Sequence, residues 1–262
     1  MADSVPAMSD FNYGVLKQTH HRPWPMPDAP WVMTQSWHHL LFAHWPVDPA
    51  TVRERIPPAL PLDLYDGQAW IGIVPFHMTN VAPRGLPNVP FISAFPELNV
   101  RTYVTVEGRP GVYFFSLDAA STIAVAAART LFGLPYFAAE MTVTVDAAGV
   151  QYQSVRKPRT AGVAEFTSRY RPLSPVQPPV AGRLEYFLTE RYCLYRVDRS
   201  NRIHRLEIHH PPWPLQVAEA AIDRNTMAAA AGIQLPPVAP LLHYAHRQDM
   251  VAWAPRRLGG NG

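Results

Sequence analysis

A single cysteine, Cys193, stands among 262 residues. It excludes an intrachain disulfide and any thiolate-rich zinc site. Lysine is almost as scarce, with Lys17 and Lys157 alone, so an amine nucleophile has only two places to come from. No apolar run approaches the roughly 20 residues that cross a bilayer as a helix. The opening Met1-Ala2-Asp3-Ser4 lacks the basic-then-apolar order of a secretory signal. A cytoplasmic location and no membrane partner are the expectation. Charge of either sign is thin: 16% of residues are Asp, Glu, Lys or Arg, and the formal net charge is +3. The arginines never gather into a phosphate-tracking stripe, which speaks against a nucleic-acid partner. A phosphate-binding glycine loop, a dinucleotide fingerprint and a nucleophile elbow are missing too, so no cofactor is expected.

What the chain does hold is apolar material, 48% hydrophobic and 11% aromatic, enough for a large core. Residues 1–30, ending His20-His21-Arg22-Pro23-Trp24-Pro25, read as a loose arm broken by proline, and residues 31–262 as one domain. Asp48 with Pro49 behind it suits an N-cap and first turn of a short helix. A strand is expected over 69–78. The segment 79–96, with Pro83, Pro87, Pro90 and Pro96, reads either as a lid or as a plain surface connection. Leu98, Val100, Val104 and Val106 then alternate with Glu97, Asn99, Arg101 and Tyr103, the period of a strand with two unlike faces. Residues 111–117 are apolar on both faces and read as a buried strand. Asp118 or Ser121 is expected to cap an alanine-rich helix running to about Phe132. Asp146-Ala147-Ala148-Gly149 marks a hairpin. Further strands are expected over 163–170, 190–197, 202–209 and 241–253, with a helix over 218–231. The sum is an α+β fold, an antiparallel β-rich cone or barrel with a few short helices. Its polar strand positions would face a cavity.

Five motifs add a resemblance. LFAHWPVDPATVRERIPPAL (41–60), FPELNVRTYV (95–104), LFGLPYFAAEM (131–141), FLTERYCLY (187–195) and IHHPPWPLQ (208–216) resemble the YqjF-like family in order, spacing and content, across roughly 37–253. That family is similar to the acetoacetate decarboxylase superfold, a cone-like antiparallel barrel around a small-molecule pocket. The remoter likeness rests on 52–60 and on 129–135 with the strand after it. The resemblance implies two adjacent lysines directly after the proline that Pro135 resembles, one forming a Schiff base while its neighbour lowers its pKa. Here those positions are Tyr136 and Phe137. Neither side chain can form an imine, so Schiff-base decarboxylation is rejected. The likeness also puts Glu97 where the decarboxylase carries a pocket glutamate. The regions matching its other pocket carboxylate and its pocket arginine, near Gly72 and Trp37, are altered.

The candidate site follows. Glu97 is the catalytic base and Arg101 the holder of a substrate carboxylate, with Asn99 and Tyr103 beside them on the same face. The alternative is a structural Glu97–Arg101 ion pair. Tyr136 is a second catalytic candidate as a hydrogen-bond donor, the alternative being an aromatic plug. Arg191, which alternation sends opposite to Glu190 and Tyr192, and His209 on the rim are further substrate-binding candidates. No metal is expected. His209 and His210 are adjacent in a strand and point to opposite faces, and His243 and His246 have helical spacing in a strand. Two functions stay open: acid–base chemistry of lyase, hydratase or isomerase type on a small carbonyl or carboxylate compound, and non-catalytic binding of such a ligand. An assembly role is the third reading, and homo-oligomer formation through sheet edges is compatible with all of them.

Overall fold

The computed structural model describes residues 11–89, 93–157 and 164–259. The strands are β1 (Met33–Val47), β2 (Ala69–Pro83), β3 (Phe95–Val106), β4 (Arg109–Ala119), β5 (Tyr136–Asp146), β6 (Gly149–Arg156), β7 (Glu165–Pro172), β8 (Cys193–Val197), β9 (Ile203–His209), β10 (Leu215–Asn225), β11 (Leu241–Ala252) and β12 (Arg256–Arg257). The helices are short: α1 (Pro49–Arg53), α2 (Thr122–Leu131), α3 (Leu184–Thr189) and α4 (Met227–Ala230).

The sheet order is β12-β9-β8-β4-β3-β2-β1-β11-β10-β7-β6-β5, and two further pairings bend it into closed figures. β4 pairs in parallel with β5, which closes β4, β3, β2, β1, β11, β10, β7, β6 and β5 into a ring. β9 pairs with β11, which closes β4, β8, β9, β11, β1, β2 and β3 into another. The strands β4, β3, β2, β1 and β11 belong to both rings and act as a shared wall.

Side chains alternate across a strand, so the wall serves two cores. Leu41, Ile71, Ile73, Leu98 and Val100 face Tyr152, Phe166 and Tyr170 of β6 and β7. The other face carries Phe42, Val74, Phe76, Leu117 and Ala119, against Trp213, Leu215 and Tyr136. A strand buried on both faces should read as a near-continuous apolar run. The expected 69–78 strand does, and nearly all of β2 is buried.

The structure alters several sequence expectations. β2 continues through Pro83 because the long β1 pairs with it as far as Met33 opposite Pro83. Of the segment weighed as a lid, residues 79–83 are thus strand, 90–92 lie outside the described residues, and Phe95 already opens β3. Ser121 is the cap of α2, its hydroxyl accepting from Ala124 N at 3.2 Å, while Asp118 stays in β4. Where a helix was expected over 218–231, the chain runs as β10 between β7 and β11, and only Met227–Ala230 is helical. Cross-strand pairing overrode alanine's helical preference.

The arm expected to be loose is held in place over its described part. A 3₁₀ turn at Tyr13–Lys17 buries Val15. Arg22 pairs with Glu207 at 3.1 Å, and Trp24 Nε1 donates to the same carboxylate at 2.8 Å.

The expected hairpin is present, with Asp146 opposite Gly149 and Asp146 Oδ1 accepting from Ala148 N at 2.8 Å. Gly149 has φ 128°, and a Cβ there would lie 2.4 Å from the Tyr170 carbonyl oxygen. Gly149→Ala should therefore cost about 1–3 kcal/mol, read as a lower urea midpoint with an unchanged slope.

Candidate functional site

Antiparallel register fixes which side chains share a face. Glu97 lies opposite Phe76 of β2 and Ala119 of β4. Asn99 lies opposite Val74 and Leu117, and Arg101 opposite Gly72 and Phe114. β4 carries one extra residue, Phe115, at its register shift, so Phe114 and Leu117 both reach this face. The polar face expected from Glu97, Asn99, Arg101 and Tyr103 is therefore real, and it points into an aromatic core instead of water.

Glu97 is 3% exposed, and its Oε2 has no hydrogen-bond partner among the described residues. Burial pushes its carboxyl up to about 8, with the Tyr136 hydroxyl beside it working the other way and Asp118 adding to the rise. Its own carbonyl oxygen accepts from Tyr152 at 2.7 Å, a contact arriving from the other core. Four residues along a strand span about 13 Å, too far for Glu97 to pair with Arg101. Neither forms an ion pair among the described residues, so the structural-pair alternative is not realised.

Arg101 donates from Nη2 to Leu188 O at 3.1 Å and lies over the rings of Phe42 and Tyr103, at 5.4 and 5.7 Å. Its Nε and the Asn99 Oδ1 have no hydrogen-bond partner among the described residues. The Tyr103 hydroxyl meets His44 Nε2 at 2.6 Å, and both residues are fully buried. Arg191 lies over Tyr103 at 4.9 Å, but its Nη1 is spent on Asp63 at 2.6 Å and its Nε on Phe187 O at 2.6 Å. Arg191 thus supports the Tyr103 end as a neutralised pair.

Position 136 shares this face because β5 runs parallel to β4, with Leu117 opposite Tyr136 and Asp118 opposite Phe137. The two positions that resemble the lysine pair are thus split between the two faces of the wall. Tyr136 stands beside Glu97. Phe137 lies under Arg156 at 4.1 Å, and Arg156 makes two hydrogen bonds to Asp118, at 2.8 and 2.7 Å. Lys157 is half exposed and lies 3.5 Å from Glu140.

His209 is the candidate the structure moves away. Its Nε2 meets Val15 O at 2.9 Å and its ring stacks on His21 at 5.6 Å, so the N-terminal segment covers it on the outside of β9. Its neighbour takes the inward place. His210 stacks on Tyr192 at 4.8 Å and lies 5.2 Å from Trp213, whose indole is parallel to Trp37 at 5.7 Å. Glu190 holds this turn by accepting from Trp213 N at 2.9 Å.

Sequence reasoning missed His44, His243 and Trp213. His44 Nδ1, His243 Nδ1 and Trp213 Nε1 are buried on this face with no hydrogen-bond partner among the described residues. Their strands come together only through the β1–β2 and β1–β11 registers, in which His44 lies opposite Gly72 and His243 opposite Phe42. No cluster of three His, Cys, Asp or Glu suited to a metal occurs among the described residues, and none of the described helices is long and apolar enough to cross a membrane. Two surface clefts, of about 470 and 350 Å³, lie elsewhere, beside α1 and over β5–β7.

Comparison with known proteins follows the same lines. The DUF2071 family, described as an uncharacterized conserved protein, matches residues 34–249. The uncharacterized protein YqjF of Bacillus subtilis (strain 168) is 50% identical over 232 residues, covering 88% of this chain and 95% of that protein. Among solved structures, the enduracididine biosynthesis enzyme MppR complexed with pyruvate superposes with a TM-score of 0.59 at 15% identity, over 92% of this chain and 93% of that one. Acetoacetate decarboxylase from Legionella pneumophila subsp. pneumophila str. Philadelphia 1 gives 0.57 at 14% identity, over 98% of each chain. At such identities the likeness shows the fold alone.

Proposed function

Because this chain belongs to the DUF2071 family, folds like acetoacetate decarboxylase and carries Tyr136 and Phe137 where the resemblance implies a lysine pair, we propose that it binds a small carbonyl or carboxylate compound on the Glu97 face and moves protons there without forming an imine. One observation carries the reading. Glu97, Asn99 and Arg101 project from one buried strand face, and each keeps a polar atom that has no partner among the described residues. An unsatisfied buried polar group costs about 1–3 kcal/mol, and a ligand that supplies the partners recovers that cost. Arg101 suits a carboxylate. Glu97, raised to about 8, is a proton donor near neutral pH and a base once ionised, as lyase, hydratase or isomerase chemistry requires. Tyr136 beside it supplies a hydroxyl to a substrate oxygen.

A second reading, ligand binding without chemistry, is favoured by one feature: Tyr136 packs among Leu117 and Ala119 as an aromatic filler would. Titration with oxo acids of increasing length, with proton–deuterium exchange beside the carbonyl followed by NMR, separates the two. Arg101→Ala should weaken binding about tenfold or more, the loss of one charged hydrogen bond. Exchange that persists in Glu97→Gln would overturn the acid–base reading. Borohydride reduction with a bound oxo acid should leave the mass of the protein unchanged. An adduct on Lys157 would restore an imine mechanism.

A further inference from the structure

The binding reading can be sharpened by asking where on this face an anion would sit, and the inference that follows rests on that reading. Whichever tautomer His44 adopts, one of its polar contacts is unmet. If Nε2 accepts the Tyr103 proton, Nδ1–H has no acceptor; if Nε2–H donates, Nδ1 has no donor and the phenol must find another acceptor. The Arg101 guanidinium lies 5.7 Å from the Tyr103 ring, and its positive charge favours the arrangement in which Tyr103 gives its proton to His44 Nε2 and Nδ1–H is left over. The same end of the face holds the unpartnered Arg101 Nε and His243 Nδ1. His44 and Arg101 flank Gly72, where a Cβ would lie 3.0 Å from the imidazole and 3.2 Å from Arg101 Cγ.

The geometry points to an anion subsite built by Arg101 Nε, His44 Nδ1 and His243 Nδ1 on the face shared by β1, β3 and β11, which anchors the carboxylate of a compound whose carbonyl lies several bonds away, beside Glu97. The separation sets the substrate class. Residues 97 and 101 are about 13 Å apart along the strand, and Arg101 leans toward Leu188, away from Glu97. Two hydrogen bonds of about 3 Å leave at least about 7 Å of ligand, or about five bonds or more between carboxylate carbon and carbonyl carbon. Between the two ends the face is apolar except for Asn99, with Phe42, Val74 and Leu117, and an aliphatic spacer suits it. A 2-oxo acid, whose carbonyl is bonded to the carboxylate carbon, reaches only one end.

The test compares 6-oxoheptanoate, 4-oxopentanoate, pyruvate and heptan-2-one by calorimetry, with the ¹⁵N imidazole resonances of His44 and His243 followed in the wild-type protein. Expected are a dissociation constant for 6-oxoheptanoate at least tenfold lower than for pyruvate or the uncharged ketone, saturable shifts of both imidazoles, and at least tenfold weaker binding in Gly72→Ala. Oxo acids that bind while both imidazoles stay silent, or pyruvate that binds as tightly as 6-oxoheptanoate, would overturn the subsite and leave the binding reading standing. Failure of every compound to bind would overturn both. The imidazole shifts need no variant, so an unfolded Gly72→Ala protein still leaves the proposal open to refutation.

Discussion

Arg156→Ala should lower the unfolding free energy by about 3–5 kcal/mol, the largest single-residue loss expected in this molecule. Arg156 and Asp118 are 4% and 0% exposed by side chain, and two hydrogen bonds at 2.8 and 2.7 Å join them. Removing the guanidinium leaves a carboxylate sealed between β4 and β6 with nothing to balance it. Burial already pushes the Asp118 carboxyl above its ordinary range, and the two Arg156 hydrogen bonds pull it back. Without them the upward push is opposed only by the neighbouring Ser116. The variant should therefore be least stable where an unpaired Asp118 would have to ionise, and it should regain stability as pH falls and the carboxyl takes a proton. Urea unfolding across a pH series reads this directly. Asp118→Asn in the Arg156→Ala background should recover much of the loss, because the group left behind is then neutral. A double variant as unstable as the single one would show that Arg156 acts through packing on Phe137 and not through charge.

The second large effect concerns Glu97, and its sign is opposite to that of an ordinary surface carboxylate. Its pKa rises from 4.5 to about 8 on folding. Between those values the folded state holds a proton that the unfolded state has released, so the Glu97 contribution to stability is fully present below about pH 4.5 and is lost as pH rises toward 8. One retained proton corresponds to a slope on the order of 1.4 kcal/mol per pH unit within that window. Glu97→Gln keeps the shape of the protonated side chain and removes the titration. The variant should match the wild type near pH 4.5, exceed its stability by several kcal/mol at pH 8, and show a slope flatter by about one proton. A Glu97→Gln protein that is less stable than wild type at every pH would mean that Glu97 holds the wall together, and the case for it as an acid would fall.

Much of this architecture could be read from the chain, because β3 advertises itself. Residues 97–106 alternate without interruption, and the structure places Leu98, Val100, Val104 and Val106 in one core and Glu97, Asn99 and Tyr103 on the other face. The Asp48 cap and the Asp146–Gly149 hairpin are equally local, and both are where the sequence puts them. The failures share a physical cause, since each depends on a partner distant in sequence. In β10, Ala218 and Ala220 turn inward while Glu219, Ala221 and Asp223 are exposed. That alternation was present in the sequence. It was hidden because the inward residues are alanines, small where the opposing strand supplies Tyr170 opposite Ala220. At the site, Arg191 could not be known to be neutralised until Asp63, 128 residues away, closed on it. The choice between His209 and His210 was decided by the N-terminal segment, which takes the outer histidine for Val15. His44 and His243 gave no local signal of a shared site, because each lies in a strand with other histidines and the two come together only through the β1–β11 register.

That meeting has a consequence for how the molecule is made. β1 begins at Met33 and is hydrogen-bonded to β11, where Met33 lies opposite Ala252. A ribosome must therefore have released residue 252 before β1 can complete its second edge, β2 having covered the first. Loop closure over such distances is slow, and until it happens β1 offers an open, apolar edge to whatever passes. The segment that carries His44 of the proposed anion site is thus also left exposed during synthesis, and chaperone dependence in vivo should track the arrival of β11, not of β1.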